Sequence, residues 1–171
     1  SKYDVTMKHI YQETDYGVFK DCSSLVNLTL GNRMFADVSA KKIDISSWNL
    51  NNLESASEMF SLLNVESVSF GSSNFPKLTQ TYGMFKGNGD IDMLDLSGYN
   101  FVNSVDYTYF LTFSSFKTNI SVIDLSGSDW NEDAIVKDMF LNVDSTIYVK
   151  DEKAKAFIEK QAPDCIVVIK E

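Results

Sequence analysis

Ile43-Asp44-Ile45-Ser46 is followed, 14 residues after Ile45, by Met59-Phe60, and the chain then writes the same unit again. Val68-Ser69-Phe70 leads to Met84-Phe85, Leu94-Asp95-Leu96-Ser97 to Tyr109-Phe110, and Ile123-Asp124-Leu125-Ser126 to Met139-Phe140. With Met34-Phe35 included, the first four doublets stand 25 residues apart and the last follows after 30. One compact core has no reason to produce that regularity, so the chain reads as a repeat protein.

A triplet with apolar ends and a polar centre has the alternation of a short strand buried on one face. Six triplets qualify: Leu28–Leu30, Ile43–Ile45, Val68–Phe70, Leu94–Leu96, Ile123–Leu125 and Ile147–Val149. Each is followed by a return too long for a hairpin, which implies parallel neighbours and a solenoid. All six are expected in one parallel sheet. The doublets, an aromatic series (Trp48, Phe75, Tyr99 with Phe101, Trp130) and an apolar series (Leu53, Leu78, Val105) should point inward as stacked columns. Burial of one Phe per coil is worth roughly 2 to 3 kcal/mol each. Cys22, Val38, Leu63, Asn88, Phe113 and Val143 share a slot after the doublet; it reads as packing, except at Lys86-Gly87-Asn88-Gly89-Asp90, which predicts a tight turn.

Domain organisation follows: a single domain, with residues 1–15 as an N-terminal cap, 16–149 as repeats and 150–171 as a C-terminal αβ cap. Asp151 is placed as an N-cap, Ala154, Phe157, Ile158 and Gln161-Ala162 as an inward stripe, and Pro163 as the stop. Cys165 to Lys170 reads as a closing strand. The four lysines at 150, 153, 155 and 160 are nearly neutralised by Asp151, Glu152 and Glu159, so the helix reads as a cap rather than a membrane anchor.

The 171 residues carry 24 acidic against 15 basic side chains, a net charge of −9 that gives no footprint for nucleic acid or an anionic membrane. No run of 18 apolar residues occurs, and the first ten residues lack a signal-peptide pattern. Cys22 and Cys165 lie at opposite ends of the array and are expected as free thiols. His9 is the single histidine and no nucleophile elbow accompanies it, so no catalytic site is expected, and a hydrolase is the least favoured class. Two isolated cysteines and one histidine give no zinc spacing, and Gly87-Asn88-Gly89 lacks the rest of a phosphate loop. No metal and no cofactor are expected. Asn27-Leu28-Thr29 and Asn119-Ile120-Ser121 match glycosylation acceptors, a rule that applies only in a eukaryotic secretory route.

The unit Leu94-Asp95-Leu96-Ser97 with Val105 and Tyr109-Phe110, together with Met59-Phe60 and Cys22-Ser23-Ser24-Leu25, resembles the BspA-type repeats of bacterial surface proteins, a branch of the leucine-rich-repeat solenoids. That family's unit reads approximately L-D-L-S, an N-V pair, M-x-x-M-F and C-x-S-L. The resemblance runs from about Tyr16 to Val149. It departs at Leu30 to Met34, a return of only four residues, and around Lys117-Thr118-Asn119-Ile120, where residues are inserted. It implies an α/β leucine-rich-repeat solenoid with one parallel sheet on its concave face, irregular convex returns and an αβ cap. It also implies a secreted or cell-surface bacterial protein, a monomer, that binds a protein or glycan without catalysis.

In each triplet the central residue points away from its apolar neighbours. Thr29, Asp44, Ser69, Asp95, Asp124 and Tyr148 are therefore the candidate binding column, flanked on one side by Asn27, Lys42, Ser67, Met93, Val122 and Thr146. Asp95 and Asp124, one strand apart, could share a calcium ion, although no Gly-rich calcium loop is present. The insertion at Lys117, Thr118 and Asn119 is a second candidate surface. The competing reading is a structural spacer without its own ligand, in which the aspartates are merely what a solvated strand tolerates.

Overall fold

The computed structural model describes residues 28–88, 91–113 and 120–171. The strands form where the triplets stand: β1 (Ser39–Asp44), β2 (Asn64–Ser69), β3 (Met93–Asp95), β4 (Val122–Asp124) and β5 (Thr146–Val149). Helix α1 (Glu152–Gln161) and strand β6 (Ile166–Ile169) follow. Every pairing is parallel. The chain is a β-solenoid of about 4 turns with a single helix among the described residues.

Two features differ from a single six-stranded sheet. The strands divide into β1-β2 and β3-β4-β5-β6. The triplet Leu28–Leu30 belongs to neither: Leu30 bridges Ser55, at the head of a second ladder that runs through Gln80 and Asp106 to Ile135. That ladder lies on the return side of the coils. Thr29 accordingly aligns with Glu54, whose amide donates to the Thr29 carbonyl at 2.8 Å, and not with Asp44. The short return from Leu30 to Met34 has a simple cause, since Leu30 is already on the return path.

Inside the coils, Phe35, Phe60 and Phe85 form a face-to-face column with centroid distances of 5.4 and 5.5 Å. The doublets are also tied by main-chain bonds, from Phe35 N–H to Met59 O and from Phe60 N–H to Met84 O, each 2.9 Å. In the next coil the register is shifted by one from the doublet reading. Phe85 N–H donates to Phe110 O, and Leu111 N–H to Met139 O, so Phe110-Leu111 is the structural equivalent of Met84-Phe85 and Met139-Phe140. The backbone says the same: Arg33, Glu58, Gly83, Tyr109 and Asp138, each just before its doublet, all have φ between 51° and 56°. Tyr109 is thus a left-handed turn residue, and Phe110, in the methionine slot, meets Phe85 edge-on at 79°.

The aromatic series resolves into two columns. Phe75, Phe101 and Trp130 stack at 5.6 and 6.0 Å, and Phe157 of α1 adds the next rung at 5.6 Å from Trp130. Tyr99 packs edge-on against Phe75 at 4.7 Å and donates its hydroxyl to Phe70 O at 2.7 Å. Its burial pushes its pKa far up. Leu53 and Leu78 are inside as expected, but Val105 is 46% exposed. Ser104 takes the inward slot instead, fully buried with its Oγ 2.8 Å from Thr81 Oγ1.

Asn88 follows directly on a turn that includes Gly87, whose φ is 79°. It is fully buried, with Oδ1 accepting from Leu63 N–H at 2.8 Å and Nδ2 donating to Phe60 O at 2.7 Å, so its amide closes the edge between two coils. At the far end, Asp151 caps α1 through Ala154 N–H at 2.8 Å, and Ala154, Phe157, Ile158 and Ala162 are buried against the last coil. Strand β6 pairs with β5, as the closing strand was expected to do. Cys165 carries no disulfide, and its Sγ lies 3.3 Å from Val143 O. The expected N-terminal cap at 1–15, His9, Cys22, Asn27 and the insertion residues Lys117, Thr118 and Asn119 lie outside the described residues.

Candidate functional site

The central column begins at Asp44, paired with Ser69, and continues on the second sheet as Asp95, Asp124, Tyr148 and Val168 in register. Five of the six expected residues thus fall on the sheet face; Thr29 does not. Val168 was not expected there, although the alternation in Cys165-Ile166-Val167-Val168-Ile169 carried the signal.

The aspartates are less available than their positions suggest. In each Asp-x-Ser, one carboxylate oxygen accepts from both the Ser amide and the Ser hydroxyl two residues on. The hydroxyl distances are 2.7 Å at Asp44–Ser46 and 2.6 Å at both Asp95–Ser97 and Asp124–Ser126. The carboxylate therefore fastens the turn that leaves the strand. Glycine completes the motif at Gly98 and Gly127: a Cβ there would stand 2.1 Å from Gly71 O and 1.9 Å from Ser97 O. Only a hydrogen fits where one coil's turn rests on the next.

Asp124 is the extreme case, with a fully buried side chain. Its second oxygen receives the Lys170 ammonium, which reaches from the end of β6. Burial alone would push the Asp124 carboxyl up, but the Lys170 and Ser126 donors outweigh it and hold it below the usual carboxylate range. The same contact pushes the Lys170 ammonium up. Asp44 is likewise held low, chiefly by the Ser46 hydroxyl. With one Asp124 oxygen on Ser126 and the other on Lys170, the shared calcium between Asp95 and Asp124 has no free ligand on one side. Among the described residues no three His, Cys, Asp or Glu side chains converge as a metal site would need.

Beside the exposed Asp95 and Lys170, this face also leaves apolar groups open. Met93, Val122, Thr146 and Ile166 form one row across β3 to β6, with Met93 45% and Ile166 67% exposed. Tyr148 is half-buried beside it and Val168 is exposed. Four strands thus present a hydrogen-bonded surface with large apolar groups facing outward. The return side is different in kind: Arg33 pairs with Glu58, and Tyr82 meets Tyr109 edge-on at 5.7 Å with the Lys86 ammonium 5.4 Å from the Tyr109 ring.

The Cys165 thiol is pushed up by burial and by Asp144 and Asp164, which is the wrong direction for a thiolate nucleophile. No described helix is long and apolar enough to cross a membrane. Comparison with family models, with curated proteins and with solved structures finds no match to the chain.

Proposed function

We propose that this protein is a non-enzymatic binding or adhesion module of the BspA-type leucine-rich-repeat class, secreted or held at a cell surface and monomeric, that recognises an extracellular protein or glycan. The reading rests on the outward row Met93, Val122, Thr146 and Ile166, exposed at Met93 and Ile166, with Tyr148 and Val168 alongside. Large apolar side chains kept outward on a rigid sheet are a feature of contact surfaces, because solvated strands otherwise carry polar groups there. A sheet surface suits an extended macromolecule better than a small molecule in a deep pocket. The aspartates support the face from within and leave recognition to their apolar neighbours.

Binding of the intact chain to arrays of extracellular-matrix proteins and glycans provides the test. Met93→Glu combined with Ile166→Glu should abolish a wild-type signal while the melting temperature holds, because both side chains already face water. A signal indifferent to the double substitution would remove the sheet face from the reading. A spacer without its own ligand is the alternative, favoured by one observation: Asp44, Asp95 and Asp124 are all engaged in their own turns. That alternative expects no specific binding at all.

A further inference from the structure

Strand β6 ends its sheet. Ile166 N–H donates to Ser145 O at 3.1 Å and Lys170 N–H to Val149 O at 2.8 Å, so the even-numbered residues turn their main-chain groups toward β5. Successive residues of a strand alternate sides, which leaves the N–H and C=O of Val167 and Ile169 on the outer edge. Among the described residues no strand pairs there. Proteins blunt such an edge with a proline, a bulge or a charge, and Ile166-Val167-Val168-Ile169 carries none of them.

The side chains beside that edge follow a pattern. Asp164, Ile166, Val168 and Lys170 are all exposed, and Val167 between them is buried. In chain order the four read acid, apolar, apolar, base, so the series is its own complement when reversed. An antiparallel copy centred on Val167 sets Asp164 against the partner's Lys170 and Ile166 against the partner's Val168, on both sides of a two-fold axis. Lys170 can serve in this way, because an ammonium has three donors and its side chain stays 46% exposed while contacting Asp124.

Charge also selects the register. Main-chain geometry allows a second frame, centred on Val168, in which Val167 bonds to the partner's Ile169. That frame sets the Lys170 ammonium against the partner's Ile166 and moves it off the partner's Asp164. In the frame centred on Val167, the Val167 residues of the two chains exchange both main-chain bonds, and each Ile169 N–H reaches the partner's Cys165 carbonyl. Cys165 N–H stays on Ala162 O. A foreign strand would have to supply the same reversed series, and this chain already carries it.

We propose that a second copy of this chain pairs with the outer edge of β6, antiparallel about a two-fold axis at Val167, joining the two β3-β4-β5-β6 sheets edge to edge. A contact of one short strand lies at the weak end of protein interfaces, so dilute chains are single and they join where they are crowded. The net charge of −9 opposes approach, and about 0.15 M salt screens that repulsion beyond about 8 Å. The pairing goes beyond the ligand proposed for the sheet face and is tested at Asp164, which lies outside that face.

NMR of the intact chain in about 0.15 M salt, from about 20 μM to about 2 mM protein, tests it. The Val167 and Ile169 amide signals should shift with concentration and follow an equilibrium between one chain and two. In a mixture of isotope-labelled and unlabelled chains, filtered NOE spectra should show Ile166 against the partner's Val168. Asp164→Lys, a change in an exposed turn, sets like charges together on both sides of the axis and should weaken association about tenfold without lowering the melting temperature. Amide positions indifferent to concentration overturn the proposal. So do assemblies larger than two chains, a contact from Val168 to the partner's Val168, or an association that Asp164→Lys leaves unchanged.

Discussion

At the residue scale, the polar side chains that repeat in this chain serve its own backbone. Asn88 supplies both an acceptor and a donor to the main chain of the preceding coil, at Leu63 and Phe60. Asn88→Ala would leave two buried main-chain groups unpaired, and urea unfolding should show a loss of about 2–4 kcal/mol. The sequence marked the slot, because Leu63 occupies it one coil earlier, and the flanking glycines predicted a tight turn, but neither signal shows the amide buried against the preceding coil. Asp124 provides a pH-dependent counterpart. Its folded-state pKa lies below the ordinary value, so its ionised form stabilises the fold above about pH 4 and that contribution disappears as pH falls through the lowered pKa. Thermal melts should therefore fall more steeply below pH 4 in the wild type than in Asp124→Asn. Lys170→Met should lower the melting temperature at neutral pH, because it leaves the buried carboxylate without its cation. Equal acid slopes in wild type and Asp124→Asn would show that the Lys170 contact does not form in solution.

At the element scale, α1 is held by a side-chain cap at one end and by an aromatic stack in its middle. Asp151→Ala should cost about 1 kcal/mol, the usual effect of losing an N-cap acceptor. Phe157→Ala removes the last rung of the Phe75, Phe101 and Trp130 column and should cost about 3–5 kcal/mol by denaturant titration. Removing residues 150–171 altogether takes away both the rung and β6, and with them the pairing that covers Ile147 and Val149. Aggregation or loss of a cooperative melt is the expected result. A soluble, unchanged monomer would contradict the role of cap. This end of the chain was legible because its signals are local: a capping residue, a 3.6-residue stripe and a proline stop.

At the scale of the whole molecule, the coils could be counted from the sequence but not fully registered. Met34-Phe35, Met59-Phe60, Met84-Phe85 and Met139-Phe140 are true equivalents, and the spacing of 25 between Met84 and Tyr109 made Tyr109-Phe110 look like another. The structure places the inward pair at Phe110-Leu111. A second interval carried the correction, since Met59, Met84 and Met139 stand 14 residues after Ile45, Phe70 and Leu125, and Tyr109 stands only 13 after Leu96. Tyr and Phe are similar enough in bulk that composition does not decide between the two frames; the backbone does, by spending its left-handed residue on Tyr109. The bonding of the candidate binding column was not legible for a related reason. Alternation predicts which side chains face outward, and it found five of six, but it does not reveal that the outward carboxylates are already bonded to their own turns. The exclusion of Thr29 likewise needed the second ladder, whose polar residues Ser55, Gln80 and Asp106 leave no hydropathic trace.

The central claim, a solenoid whose coils stack in this register, can be read from the scalar coupling that passes across a main-chain hydrogen bond between a nitrogen and a carbonyl carbon. In labelled protein the structure predicts correlations from Phe60 N to Met84 C′, from Phe85 N to Phe110 C′ and from Leu111 N to Met139 C′. A correlation from Phe85 N to Tyr109 C′ would restore the uniform frame and displace the last coils by one residue, and the absence of all three would contradict the stacking itself.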